Sequence, residues 1–267
     1  MGRTIRKMSR KGYAKVAKPF LFRRQPDAAQ SMLWTARALH AIRGEQLLSG
    51  WRYKNPRLEQ TILGLNFVNP IGLSAGLDKD FDLPPVAKKI GCGFEIGGSV
   101  TAAPCEGNPK PWVRRLASEQ SIVVNVGLAN RGVAKAIEQI RSYSPRVWRD
   151  FPLSVSVAKT NSPKQVRPKQ AIADYCDSLR QLEAAGCAPL YEINISCPNA
   201  YGGEPFTTPA RLKKLLTAVD ELKLSRPVFI KMPTDKTWTQ FAKLLSIIDK
   251  HNVAGDRQPR QRPQQAH

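Results

Sequence analysis

No stretch of the chain approaches the roughly 18 consecutive apolar residues of a membrane-spanning helix, which excludes an integral helical membrane protein. Cysteine is scarce: there are 5 in 267 residues, an odd number, with no CxxC and no Cys/His ligand spacing. That excludes a disulfide framework and a structural zinc site. Unpaired thiols point to a reducing compartment, here the cytoplasm. Acidic residues are few, 21 against 42 Lys and Arg, so the formal net charge is +21. No GxGxxG follows the first apolar run, which disfavours a dinucleotide-binding Rossmann unit. The apolar fraction, 42%, is that of an ordinary globular chain and is enough for a core.

The positive charge is uneven. Residues 1–24 carry nine basic side chains, from Arg3 to Arg24, and no acidic one. Such a leader is drawn to anionic surfaces, lipid headgroups or phosphates, and suits peripheral contact with the inner face of the cell membrane. Lys15 and Lys18 interrupt the apolar positions, so it is not a secretory signal. At the far end, nine of the twelve residues after Gly255 are Arg, Gln or Pro, a composition that packs no core.

Residues 26–43 predict a helix, with Pro26 in the first turn, Asp27 at its positive end and Gly44 after its last turn. Its apolar stripe is Met32, Leu33, Ala36 and Leu39, which suits packing on its own domain or on a partner or membrane surface. From residue 62 the chain becomes a series of short apolar runs: Asn69–Ala75, Phe94–Val100, Ile122–Val126, Leu153–Ala158, Tyr191–Ser196 and Pro227–Met232. Helical patterns lie between several of them, including Ala171–Ala185 and Pro209–Leu222. Alternation of buried strands and helices implies an α/β fold with a parallel sheet. In a barrel, function collects after the carboxyl ends of the strands. Asp78, Lys79, Ser99, Lys159, Asn194 through Asn199 and Lys231 all fall there.

Those strand ends carry a recognisable set. Asn-Pro-Ile-Gly-Leu-Ser-Ala-Gly-Leu-Asp-Lys (69–79), Glu-Ile-Gly-Gly-Ser-Val-Thr (95–101), Gly-Asn-Pro-Lys-Pro (107–111), Asn-Ile-Ser-Cys-Pro-Asn (194–199) and Ile-Lys-Met-Pro (230–233) resemble dihydroorotate dehydrogenase. The resemblance implies a (β/α)8 TIM barrel that binds FMN and oxidises dihydroorotate to orotate in pyrimidine biosynthesis. Residues 20–60 resemble the N-terminal helical extension of the membrane-associated branch, which passes electrons to quinone. The implied organisation is a basic leader (1–24), a helical extension (25–60), a partial barrel (61–255) and a low-complexity tail (256–267).

The reaction takes a proton from a carbon beside a carbonyl and a hydride from its neighbour, so it needs a base facing a flavin across the substrate. By resemblance Cys197 is that base, and a free thiol needs a local push to ionise. The quinone-using branch has Ser at this position and the soluble branch Cys, so the chain mixes the two. Ala75 and Gly76 would admit the flavin close to the backbone. Lys79 would contact FMN and substrate, Ser99 and Asn194 the flavin, and Lys231 would place positive charge near its ring. Asn194 and Asn199 carry paired donors and acceptors suited to the amide edges of a pyrimidine-dione. Gly202-Gly203 could hinge a lid.

Three departures stand out. The family's substrate-binding Asn falls on Val124, with Asn125 one residue late. Ser156 replaces a flavin-contacting Asn, and Ala158-Lys159-Thr160 stands for Gly-Lys-Asn. Five of the eight barrel strands are expected, with 122–126 outside the barrel, as in a C-terminally truncated chain. The alternatives are an inactive fragment of that enzyme, or a basic protein binding anionic membrane or nucleic acid. No recognised nucleic-acid-binding signature supports the last.

Overall fold

The computed structural model describes residues 52–116, 118–203 and 205–253, and residues 12 and 15 besides. The predicted helix at 26–43, the leader apart from those two residues, and the Arg/Gln/Pro tail lie outside the described residues.

A small antiparallel hairpin comes first, β1 (Gln60–Ile62) with β2 (Leu65–Phe67). Five strands then form one parallel sheet in chain order: β3 (Gly72–Leu73), β4 (Phe94–Val100), β7 (Leu153–Val157), β8 (Leu190–Asn194) and β9 (Val228–Lys231). The pair β5 (Val113–Leu116) and β6 (Ser121–Val124) is a separate antiparallel hairpin, so the apolar run at 122–126 does stand outside the main sheet. Among the described residues, β3 and β9 are the edges of an open sheet, and the barrel is not closed.

Helices connect the parallel strands: α1 (Pro84–Ile90), α2 (Val133–Ser142), α3 (Pro145–Trp148), α4 (Pro168–Ala185), α5 (Pro209–Asp220) and α6 (Trp238–Ile248). Proline opens four of these, where its missing N–H has no intrahelical partner to lose. The longest, α4, ends at Gly186 in the left-handed region (φ 60°), whose N–H returns to the carbonyls of Leu182 and Glu183. A capping box of Thr237 and Gln240 starts α6.

The core lies between the sheet and these helices. Leu153, Val155 and Val157 on β7 and Tyr191 and Ile193 on β8 point towards it, against Leu179 and Leu182 of α4 and Leu212 and Leu216 of α5. Strand alternation turns Ser154, Ser156, Glu192 and Asn194 to the opposite face. Register continues that face across β9, where Glu192 pairs with Phe229 and Asn194 with Lys231. All five strands run the same way, so their carboxyl ends share one rim.

Candidate functional site

The rim collects the strand-end residues. After β3 the chain makes a loop tied to β4 by backbone bonds: Gly76 N–H donates to the Gly98 carbonyl and Gly98 N–H to that of Asp78, both at 2.7 Å. Further along the loop, Phe81 is fully buried, and a Cβ on Gly97 would lie 2.1 Å from its ring, so glycine is required there. Tyr143 of the α2–α3 turn donates to the Phe81 carbonyl at 2.9 Å. Arg131 clamps the same loop, 3.3 Å from Asp80 and 3.4 Å from Asp82. Lys79 is therefore carried on a segment fixed on several sides. Gly76 adopts φ 105°, and among the described residues nothing beyond its chain neighbours lies within 4 Å of the place a Cβ would take, so that side is open to them.

A polar chain crosses the sheet at the rim. Ser99 Oγ and Ser156 Oγ are 2.8 Å apart, and Asn194 Nδ2 donates to Ser99 Oγ at 2.8 Å. Asn194 Oδ1 accepts from Ser196 N–H at 3.0 Å and Ser196 Oγ at 2.9 Å. The amide of Asn194 is thus largely committed within the fold, leaving one Nδ2 hydrogen for a ligand.

Cys197 is half-buried on the loop after β8. Burial pushes its thiol up, opposed by the Asn199 N–H and then by the ammonium groups of Lys79, Lys159 and Lys231. Lys79 is in turn pushed down by burial, with Cys197 and Asp80 opposing and Lys231 adding to the fall. The sequence-predicted Cys197, Lys79 and Lys231 are therefore one electrostatic cluster. Lys159, which the sequence reading placed at a strand end but gave no role, belongs to it. It is 3% exposed, lowered by burial and countered first by Cys197. Its position immediately after the fully buried run of β7 was the available signal.

The Cys197 loop is held from three directions. Lys159 Nζ donates to the Tyr201 carbonyl, and Tyr201 N–H donates to Asn161 Oδ1 at 2.7 Å. Asn199 Nδ2 donates to the Val124 carbonyl at 2.9 Å, and the Asn199 carbonyl accepts from Asn108 Nδ2 at 3.0 Å. Gly202 and Gly203 both have positive φ, 74° and 60°, where the loop turns away. Sequence reasoning missed Asn108 and Asn161 as individual residues, although Asn108 lies in the quoted Gly-Asn-Pro-Lys-Pro stretch. Val124 meets the site through its carbonyl, and the residue is 45% exposed. The Asn125 side chain turns to Asn108 at 2.7 Å.

Chemically, the rim offers a thiol beside three ammonium groups, hydroxyl and amide donors behind them, and an open glycine face. Positive charge and hydrogen-bond donors of this kind suit an anionic, hydrogen-bonding molecule. Among the described residues no group of His, Cys, Asp and Glu could hold a metal ion, and no helix is long and apolar enough to cross a membrane.

The family model "Dihydroorotate dehydrogenase" matches residues 57–255. A dihydroorotate dehydrogenase (quinone) from Cyanothece sp. is 34% identical over 213 residues, covering 79% of this chain and 55% of that protein. One from Synechococcus sp. (strain JA-2-3B'a(2-13)) is 32% identical over 255 residues, covering 91% and 64%. The chain spans about half the length of the first of these relatives. A crystal structure of DHODH from Eimeria tenella in complex with ferulenol superposes with a TM-score of 0.74 at 24% identity, over 90% of this chain and 68% of that one. That likeness identifies the sheet as part of a TIM barrel. With the family model covering most of the chain and the motifs converging on one rim, the chain belongs to the dihydroorotate dehydrogenase family.

Proposed function

We propose that this chain takes part in oxidising dihydroorotate to orotate with FMN, the electrons passing to quinone, in de novo pyrimidine biosynthesis. The observation that carries the reading is Cys197 set beside Lys79, Lys159 and Lys231 at the carboxyl rim of a sheet of this family. The named relatives are quinone enzymes. The residues present fit a flavin: Gly76 leaves an open face beside the small side chain of Ala75, while Ser99, Asn194, Lys79 and Lys231 supply donors and positive charge around it. When bound, FMN supplies the hydride acceptor.

The chain's own side chains do the rest. Cys197 takes the proton from the substrate carbon beside the carbonyl, and it acts as the thiolate. The ammonium groups of Lys79, Lys159 and Lys231 favour that thiolate against the burial that opposes it. The same charges attract the substrate carboxylate. Asn194 offers its remaining amide hydrogen, and Asn199 exchanges its bond to the Val124 carbonyl for the pyrimidine edge. The organisation read from sequence goes with this proposal. In it, the 25–60 sequence corresponds by resemblance to the extension that admits quinone, and 61–255 to the partial barrel. The basic residues 1–24 meet anionic lipid from the cytoplasmic side.

The test is the visible spectrum of the purified chain after loading with FMN and gel filtration. Retained flavin that bleaches with dihydroorotate, and does not in Cys197→Ala, supports the reading. A colourless chain means that the site needs more than these five strands and refutes the activity for this polypeptide.

A further inference from the structure

Two carboxyl groups lie inside the fold beside the site and outside the chemistry above. Asp78, next to Lys79, is 1% exposed, and Glu95, the second residue of β4, is 0% exposed. Their side chains are in hydrogen-bonding contact. Both Asp78 oxygens already accept backbone bonds, Oδ1 from Asp82 at 2.9 Å and Oδ2 from Leu83 at 2.7 Å. Among the described residues, neither Glu95 oxygen meets an N–H or O–H donor. The charged and titratable groups facing the pair, again among the described residues, bring no cation to it. Asp82, Cys92 and Tyr143 are acids, and the Arg131 guanidinium is spent on Asp80 and Asp82. The Lys79 ammonium answers instead to Cys197 and Asp80. Two touching carboxylates out of water, with no cation between them, cannot both ionise.

We propose that Asp78 and Glu95 share one proton, donated by Glu95 to Asp78, and that this makes Glu95 a positioning residue for Lys79. Ionised Asp78 gathers the turn through Asp82 and Leu83. The shared proton bolts that turn to β4, and Lys79 follows directly on the bolted residue. Burial and the Asp78 charge both push the Glu95 carboxyl well above the usual carboxylate range, the direction this arrangement requires. The functional meaning rests on the reading of Lys79 as a ligand contact, while the proton itself does not.

The sign of the pH dependence follows. Glu95 keeps in the fold a proton that the unfolded chain releases, so stability falls as pH rises from the ordinary carboxylate range through the folded value. Glu95→Gln donates an amide N–H to Asp78 and does not titrate. Thermal unfolding of the full chain and of Glu95→Gln is compared from about pH 5 to about pH 9. The expected result is that the unaltered chain loses stability relative to the variant as pH rises. Parallel curves overturn the shared proton. Should the variant not fold, infrared spectroscopy of the unaltered chain decides. A protonated-carboxyl band persisting above the usual carboxylate range upholds the proposal, and its absence overturns it.

Positioning is read without any ligand, from the rate at which acetic anhydride acetylates Lys79, followed by mass spectrometry. Glu95→Ala should change that rate by as much as about a hundredfold, the scale on which a reacting group displaced by about 1 Å loses rate, and Glu95→Gln should restore it. Equal rates in all three chains overturn the positioning role. Orotate binding is measured separately, so a chain that binds none refutes the site reading and leaves these two results standing.

Discussion

The two faces of the parallel sheet make opposite use of the same strands. On β7, Leu153, Val155 and Val157 pack into the helix-covered core, while Ser154 and Ser156 face the other way. On β8, Tyr191 and Ile193 join that core, and Glu192 and Asn194 turn away. All ten residues of these two strands are buried, so burial alone does not separate the faces. What separates them is partnership. The core face is satisfied by dispersion and exclusion of water, whereas on the polar face Ser99, Ser156 and Asn194 are joined by hydrogen bonds, and Ser154 Oγ and one Glu192 oxygen are buried with no partner among the described residues.

The largest effect that sharpens this contrast is Cys197→Ala. Loss of a general base removes about two to four orders of magnitude of rate. Flavin retention and unfolding temperature should hardly change, as measured by stopped-flow bleaching and calorimetry. On the opposite face, Leu179→Ala opens a cavity in the fully buried contact of α4 with the sheet and should cost about 3 kcal/mol of stability in denaturant unfolding. The site chemistry of whatever remains folded should be unaltered. If Leu179→Ala instead shifted the pH profile, the two faces would not be separable.

Lys159→Met tests the rim more finely. Burial already holds the Cys197 thiol high, so activity should rise with pH as the thiolate forms. Removing one of three opposing ammonium groups should push the thiol higher still and move the rising limb of the rate profile to higher pH. An unshifted limb would leave Lys159 only its bond to the Tyr201 carbonyl. The smallest effect is expected at Ser156→Ala, which takes from the Ser99 hydroxyl one of its two partners, leaving the Asn194 amide, and should cost about 1 kcal/mol in unfolding.

Much of this was legible in sequence where the signal is local. The runs Phe94–Val100 and Leu153–Ala158 became β4 and β7 within one residue, because apolar continuity and length are properties of the run itself. The first run, Asn69–Ala75, shrank to Gly72–Leu73. Asn69 accepts from the Ile71 N–H and donates to the Gly91 carbonyl, which turns the chain before the ladder can form. The motif residues were found, yet their commitments were not. Nothing local says that Asn194 reaches Ser99, 95 positions away, or that Asn199 reaches the Val124 carbonyl, 75 away.

The sequence by itself determined the alternation of strand and helix, the proline-started helices, and the placement of Cys197, Lys79 and Lys231 at strand ends. These are set by periodicity, backbone restriction and neighbour order along the chain. Only the tertiary structure decided that Lys159 joins them, that Asn194 spends most of its amide within the fold, and that Asp78 meets Glu95 out of water. Those outcomes depend on through-space distance and on which groups lose solvent, and both arise only when the five strands lie side by side.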